Sequence, residues 1–279
     1  MKILFLIPPS EGKLTSPISP ILRGSGDNIE SITFNFDKPL EIAHNVCEKD
    51  LKCKGNRFLE GLELNKKFSN NISLLSQKES SKYEREGFGI SIDAIHRYTG
   101  EMYKSINYTD MNKSAKKFFE QNFYIFSGMY GIVKPLDKIG NYKLPIESKG
   151  LYKYWWDIIP KAIIDMKPDY IVNLLPISYA KLIGEYTTCN RHKKKKETLI
   201  NAGIKIINVN FVKQSKPPLT PPYQGENRTY TKVSHGVKKI KGEWIRHICE
   251  NKISDYKKFG GEIVVNDNVI NVNVIVNNG

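Results

Sequence analysis

The segment Lys2–Ser16, KILFLIPPSEGKLTS, decides the class of fold. Residues Ile3 to Ile7 are all large and apolar, without the polar alternation of a half-exposed strand. Such a run predicts a short strand covered on both faces, as in helix-flanked parallel sheets. Pro8 and Pro9 stop it, because neither can donate an N–H to a ladder. Ser10, Glu11 and Lys13 then leave the carboxyl end of the strand, which is where open α/β sheets hold ligands. The turn comes close to a phosphate-binding loop of the form G-x-x-x-x-G-K-[ST] and fails it. Ile7 stands at the first glycine and Leu14 at the metal-binding hydroxyl. What remains is a hydroxyl, an acid and a cation within four residues. Ser10 fits equally well as the N-cap of a plain turn.

Working outward, Ser31–Phe36 (SITFNF) reads as a second strand, residues 38–66 carry helical spacing and residues 67–90 are polar and loop-like. Asp110–Gln121 reads as a polar helix exposing Lys113, Lys116 and Lys117, leading into the buried strand of FYIFSGMYG (123–131). Leu151–Met166 is an aromatic-rich helix, Asp169–Leu174 a buried strand and Ser178–Gly184 a short helix. The basic run Arg191–Lys196 reads as a solvated loop, with a strand from Ile204 (IKIINVNF) after it. The proline-rich stretch 215–225 cannot be a central strand. A helix from Val237 to Lys252 precedes a tail that reads as a hairpin with its tip at Asn266–Asn268. Strands alternating with helices predict an α/β protein: a mixed sheet flanked by helices, with an antiparallel C-terminal hairpin. No repeat or linker divides residues 1–279, so a single domain is expected.

Lys and Arg number 43 against 29 Asp and Glu, a net charge of +14 that favours polyanionic partners. The abundance of lysine and asparagine also fits compositional bias, which raises the charge without any function. No apolar run is long enough to span a bilayer, and the apolar start is too short for a signal-peptide core. A cytoplasmic protein with no membrane partner is the expectation. Cys47, Cys53, Cys189 and Cys249 match no zinc spacing and read as reduced thiols. With the histidines scattered, no metal site and no cofactor is expected.

Three further stretches could carry chemistry. In FSGMYGIVKPLDKIGNYKL (126–144), Gly128 and Gly131 permit a close backbone bend. Lys134, Lys138 and Lys143 follow, placed to contact phosphates; a structural corner is the plainer reading. In SHGVKKIKGEWIRHICEN (234–251), Val237, Ile240, Trp244, Ile245, Ile248 and Cys249 share one helical face. Lys238 and Lys241 lie within or beside that face and in the first turns, where the helix dipole disfavours cations. An anion would complete such a site; snorkelling lysines would also explain it. In LYKYWWDII (151–159) the aromatic stripe is core, and Asp157 beside it calls for a nearby cation.

Together these segments resemble the peroxide stress protein YaaA family. The match runs through LIPPSEGK, YTGEMY (98–103), FSGMYGIVKPLDKIGNYKL, LYKYWWDII, YIVNL (170–174) and VKKIKG…ENK, in order along nearly the whole chain. Position by position the pattern falls on Lys13, Gly128, Tyr130, Gly131, Pro135, Asp137, Tyr142, Lys143 and Leu144. It continues on Tyr152, Trp155, Asp157, Asn173, Lys239 and Gly242. The chain departs from it after Asn173, reading Leu175-Pro176-Ile177-Ser178-Tyr179 where many members have Ser-x-Glu-Tyr. The resemblance implies a cytoplasmic α/β protein of unusual fold with a positively charged cleft. It also implies DNA binding through a helix-hairpin-helix-like element, and protection during hydrogen peroxide stress through lower free iron.

The leading expectation is therefore a protein that binds duplex DNA phosphates, largely independent of sequence, through Lys13, Lys134, Lys143, Lys238, Lys239, Lys241 and Arg246. The alternative is an enzyme acting on a nucleotide or other small anion in the same cleft, with Glu11, Lys13, Asp137, Tyr142 and Asp157 as candidate catalytic residues.

Overall fold

The computed structural model describes residues 1–14, 38–39, 92–139, 142, 144–186, 188–214, 230–233, 236–266 and 268–276. The strand expected at 31–36, the helical stretch 38–66 beyond its first two residues, the polar stretch 67–90, Lys143 and the proline-rich 215–225 lie outside them.

The first strand, β1 (Ile3–Ile7), is fully buried along its length, as its composition requires. It lies between β3 (Phe123–Ser127) and β6 (Tyr170–Asn173), parallel to both. Next to β6 comes β7 (Lys205–Gln214), also parallel, and then β10 (Val269–Ile275), parallel again. Antiparallel strands finish the sheet: β4 (Gly131–Val133) beside β3, and β9 (Glu262–Asn266) beside β10. The order is β4-β3-β1-β6-β7-β10-β9, and β8 (Tyr230–Lys232) pairs with the far end of β7. A separate two-stranded ladder joins β2 (Ile92–Asp93) to β5 (Lys138–Ile139). The expected α/β sheet with its antiparallel C-terminal hairpin is therefore present. The hairpin extends the main sheet through a parallel pairing of its second strand.

Helices cover both faces. On one, Phe5 stacks on Phe123 at 4.5 Å and meets Phe259 at 5.8 Å. Phe118 and Phe119 of α3 (Lys113–Asn122) join this group. Trp244 of α7 (Val237–Glu250) contacts Phe259 and Phe211 on the same side. On the other face lie α4 (Leu151–Asp165), α5 (Ile177–Ala180) and α6 (Asn190–Asn201). Each fully buried Phe contributes about 1.5–3 kcal/mol. The short helices α1 (Ala94–Arg97) and α2 (Glu101–Ile106) follow β2.

One local reading is corrected. The run Arg191–Lys196 is helical, part of α6, and not a loop. Lys and Arg are good helix formers, and the helix is anchored by Leu199, which is fully buried. Lys195 pairs with Asp157 of α4, and Lys196 reaches Glu185 at 2.8 Å.

Helix α7 packs on α2 at Gly242. A Cβ there would lie 2.3 Å from the Met102 carbonyl oxygen and 2.6 Å from the Ser105 Cβ. Gly242→Ala gains about 1 kcal/mol of helix propensity and costs about 1–3 kcal/mol in overpacking. Because the nearest atom is backbone and cannot rotate away, the cost wins. G242A is expected to lower the unfolding free energy by up to about 2 kcal/mol, measured by urea unfolding.

Candidate anion-binding site at the carboxyl end of the first strand

The chain passes from β1 to β3 on one side and later returns to β6 on the other. Strand order reverses at β1, so the crevice beyond its carboxyl end is the place an open sheet leaves for a ligand. Ile7 is level with Ile125, and Leu6 with Asn173. Register therefore brings three segments to one rim: Ser10–Lys13, Ser127 with its following turn, and Asn173–Leu175.

The loop after β1 is tied to residues 97–100. Leu14 N–H donates to the Arg97 carbonyl at 2.8 Å, and Thr99 N–H to the Gly12 carbonyl at 2.9 Å. Tyr103 Oη donates to the Pro8 carbonyl at 2.7 Å. Gly100 leaves room for the Ser10 side chain: a Cβ there would fall 2.2 Å from Ser10 Oγ, which would have to rotate away. Thus held, Lys13 donates from Nζ to the Ser10 carbonyl at 2.8 Å. Its ammonium lies 4.5 Å from the centre of the Tyr142 ring and 5.3 Å from that of Tyr98, within cation–π reach.

Beneath Lys13 is a buried hydroxyl chain. Tyr98 Oη and Tyr142 Oη are 2.7 Å apart, and Tyr142 Oη is 2.7 Å from Ser127 Oγ. Ser127 Oγ accepts from the N–H groups of Met129 and Tyr130 at 3.2 and 2.9 Å. Burial raises the phenol pKa values of Tyr98, Tyr103 and Tyr179, and pushes Tyr142 up to about 12, so these phenols stay protonated at neutral pH. Of these hydroxyls, only that of Tyr142 belongs to a residue expected at the site from the sequence. Tyr98 and Tyr103 lie in YTGEMY, where the close glycine between two tyrosines was the available signal.

A second polar chain lies between β6, β7 and α6. Asn173 Nδ2 donates to Asn208 Oδ1 at 2.8 Å, and Asn208 Nδ2 donates to Glu185 Oε2 at 3.0 Å. Asn173 Oδ1 accepts the Leu175 N–H at 3.1 Å, which fixes the turn leaving β6. Next to that turn, Lys241 of α7 donates from Nζ to the Leu174 carbonyl at 2.6 Å. Burial lowers the Lys241 pKa to about 8, helped by the like charge of Lys238. Sequence reasoning does not find Asn208 and Glu185. The signal was Asn208 set within the apolar run Ile206–Val209.

The other sequence candidates are dispersed. Lys238 and Lys239 are exposed on α7, and Lys239 stands 3.8 Å from Glu243. Arg246 is engaged by Glu250 at 2.8 Å and donates to the carbonyls of Asn107 and Asp110 at 3.0 and 3.5 Å, which ties α7 to the end of α2. Glu11 is exposed on the loop. Asp157 is exposed and pairs with Lys195, the cation its position called for. Asp137 is buried, and its Oδ2 accepts the Lys134 N–H at 2.8 Å while its own N–H donates to the Lys134 carbonyl. Its backbone carbonyl also accepts from Ala94 N–H at 2.9 Å, so Asp137 closes a corner against α1. Burial pushes the Asp137 pKa up to about 6, against the Lys134 N–H and ammonium that favour the charged form.

Because the folded pKa of Asp137 exceeds its unfolded value, the unfolded chain loses this proton first as pH rises. Stability from this group is full below about pH 4 and falls by on the order of 2 kcal/mol by about pH 6. Asp137→Asn keeps an acceptor for Lys134 and is expected to lack that fall, as measured by urea midpoints between pH 4 and 7.

A family model described as peroxide stress protein YaaA matches residues 3–261 of this chain. Among similar proteins is a UPF0246 protein of Clostridioides difficile strain 630. It is 29% identical over 217 residues, covering 73% of this chain and 76% of that protein. UPF0246 proteins of Lachnoclostridium phytofermentans and Colwellia psychrerythraea strain 34H are each 27% identical, covering 60% and 59% of this chain and 59% of each of those proteins.

Proposed function

The chain belongs to the peroxide stress protein YaaA family, and on that premise we propose that it serves the hydrogen peroxide stress response by binding duplex DNA. The same reading puts it in the cytoplasm and includes the limiting of free iron. Lys13, Lys134, Lys143, Lys238, Lys239, Lys241 and Arg246 are its phosphate-facing cations, with Arg246 also holding α7 in place.

The observation that carries the reading is the Lys238–Lys241 pair. Lys241 is drawn into the fold beside a second cation, and both features disfavour its charge. A backbone phosphate lying across α7 offsets that cost, and the exposed Lys238 and Lys239 stand where it would lie. DNA binding raises the pKa of Lys241, so affinity falls as pH climbs through about 8 and this ammonium loses its proton.

A second reading, an enzyme acting on a nucleotide or other small anion, is favoured by the hydroxyl chain under Lys13, since a flat phosphate track needs no recessed donors. Its acids contribute less: Asp137 closes a backbone corner, and Asp157 faces Lys195.

The test is affinity for unrelated duplexes as a function of salt. Binding is expected to weaken linearly on a log–log scale. Lys238→Glu with Lys239→Glu is expected to weaken all sequences alike and flatten the slope by about 0.9 for each phosphate no longer neutralised. A salt-independent affinity, or no binding at low salt, overturns the reading.

A further inference from the structure

The hydroxyl chain contains one hydrogen more than its contacts can use. A serine oxygen has two lone pairs and one hydrogen. Both lone pairs of Ser127 Oγ are taken, by the N–H groups of Met129 and Tyr130. Its hydrogen must therefore go to Tyr142, at 2.7 Å. Tyr98 and Tyr142 bring two phenolic hydrogens, and the single 2.7 Å contact between them consumes one, whichever donates. The other has no protein acceptor among the described residues. Tyr98 is 2% exposed and Tyr142 3%, so this is a buried donor without a partner among the described residues, an arrangement that folded proteins complete with a ligand, an ion or an ordered water. Ionisation does not remove the surplus, because burial holds both phenols protonated.

The Lys13 ammonium lies over both rings of this pair. A donor hydroxyl with a cation over its ring selects an acceptor that is also negative, namely an anionic oxygen. We propose that Tyr98, Tyr142 and Lys13 form a recessed oxyanion subsite that takes a phosphate which is free or ends a chain, in preference to one inside a duplex backbone. The recess makes the choice. An internal phosphodiester is flanked by sugars on both sides and stays at the surface of the duplex. A monoester or inorganic phosphate presents unhindered oxygens that can reach a hydroxyl below the protein surface. Ser10 and the close approach at Gly100 form the loop wall, and Tyr130 packs edge-on against Tyr142 at 5.2 Å behind it. This inference deepens the DNA-binding reading by assigning a strand end, not the duplex body, to the rim after β1.

The experiment uses the full chain and two probes. The first is inorganic phosphate, titrated at constant ionic strength and followed by thermal shift and calorimetry. The second is a pair of duplexes identical except for 5′-phosphate or 5′-hydroxyl ends. Phosphate is expected to raise the melting temperature saturably, and the phosphorylated duplex to bind at least threefold tighter. Lys13→Met, and Tyr98→Phe combined with Tyr142→Phe, are each expected to weaken phosphate at least tenfold and abolish the end preference. Lys195→Met, on α6, is expected to change neither. If the tyrosine pair variant fails to fold, Lys13→Met, altered on a partly exposed loop, decides alone. No saturable shift, or the same shift in wild type and variants (an adventitious ion only), overturns the subsite. Salt-dependent duplex binding that persists in that case leaves the DNA reading standing. Phosphate binding without duplex binding overturns the DNA reading and keeps the subsite.

Discussion

Ile3–Ile7 carries no polar side chain on either face, and the fold is arranged around covering it. The strand takes the position where β3 and β6 flank it and helices close both sides, so every one of its residues is buried. Its neighbours run parallel to it, each reached through a crossover that contains helix. The ends of β1, β3 and β6 then emerge together. Polar residues that are far apart in the chain (Ser10, Ser127, Asn173) meet at one rim for a reason that concerns none of them individually.

The rim concentrates polar groups in a low-dielectric setting, and the chain handles them in two ways. Some are fully matched: Asn173, Asn208 and Glu185 pass hydrogen bonds along a buried line that ends on Lys196 at the surface. Others are left in tension. Lys241 is a cation in a place that disfavours cations, and Asp137 is an acid in a place that disfavours acids, yet each is held by a backbone partner. Asp137 balances its burial locally by capping a turn. Lys241 offsets part of its burial through the Leu174 carbonyl.

Much of this was legible in the sequence because it is local. The aromatic helix, read as Leu151–Met166, runs Leu151–Asp165, and the tail forms a hairpin whose first strand ends at Asn266 and whose second begins at Val269. What could not be read is pairing between distant segments. The parallel alignment of β10 on β7 leaves no trace in the alternation of either strand. The carboxylates that Lys195 and Lys196 face stand at positions 157 and 185, which no window around the run contains. Asp137 and Tyr142 sit five residues apart in one motif, yet one braces α1 and the other lies under Lys13. Spacing alone has no means of separating those roles.

The pairings on α6 also bear on how a polyanion would approach. An incoming molecule responds to the electric field at a distance, not to a residue count. Lys195 and Lys196 each face a carboxylate supplied by another element, so their contribution decays as that of a dipole and fades faster than that of a lone charge. Among the described side chains of that run, the exposed charges are therefore Lys193 and Lys194.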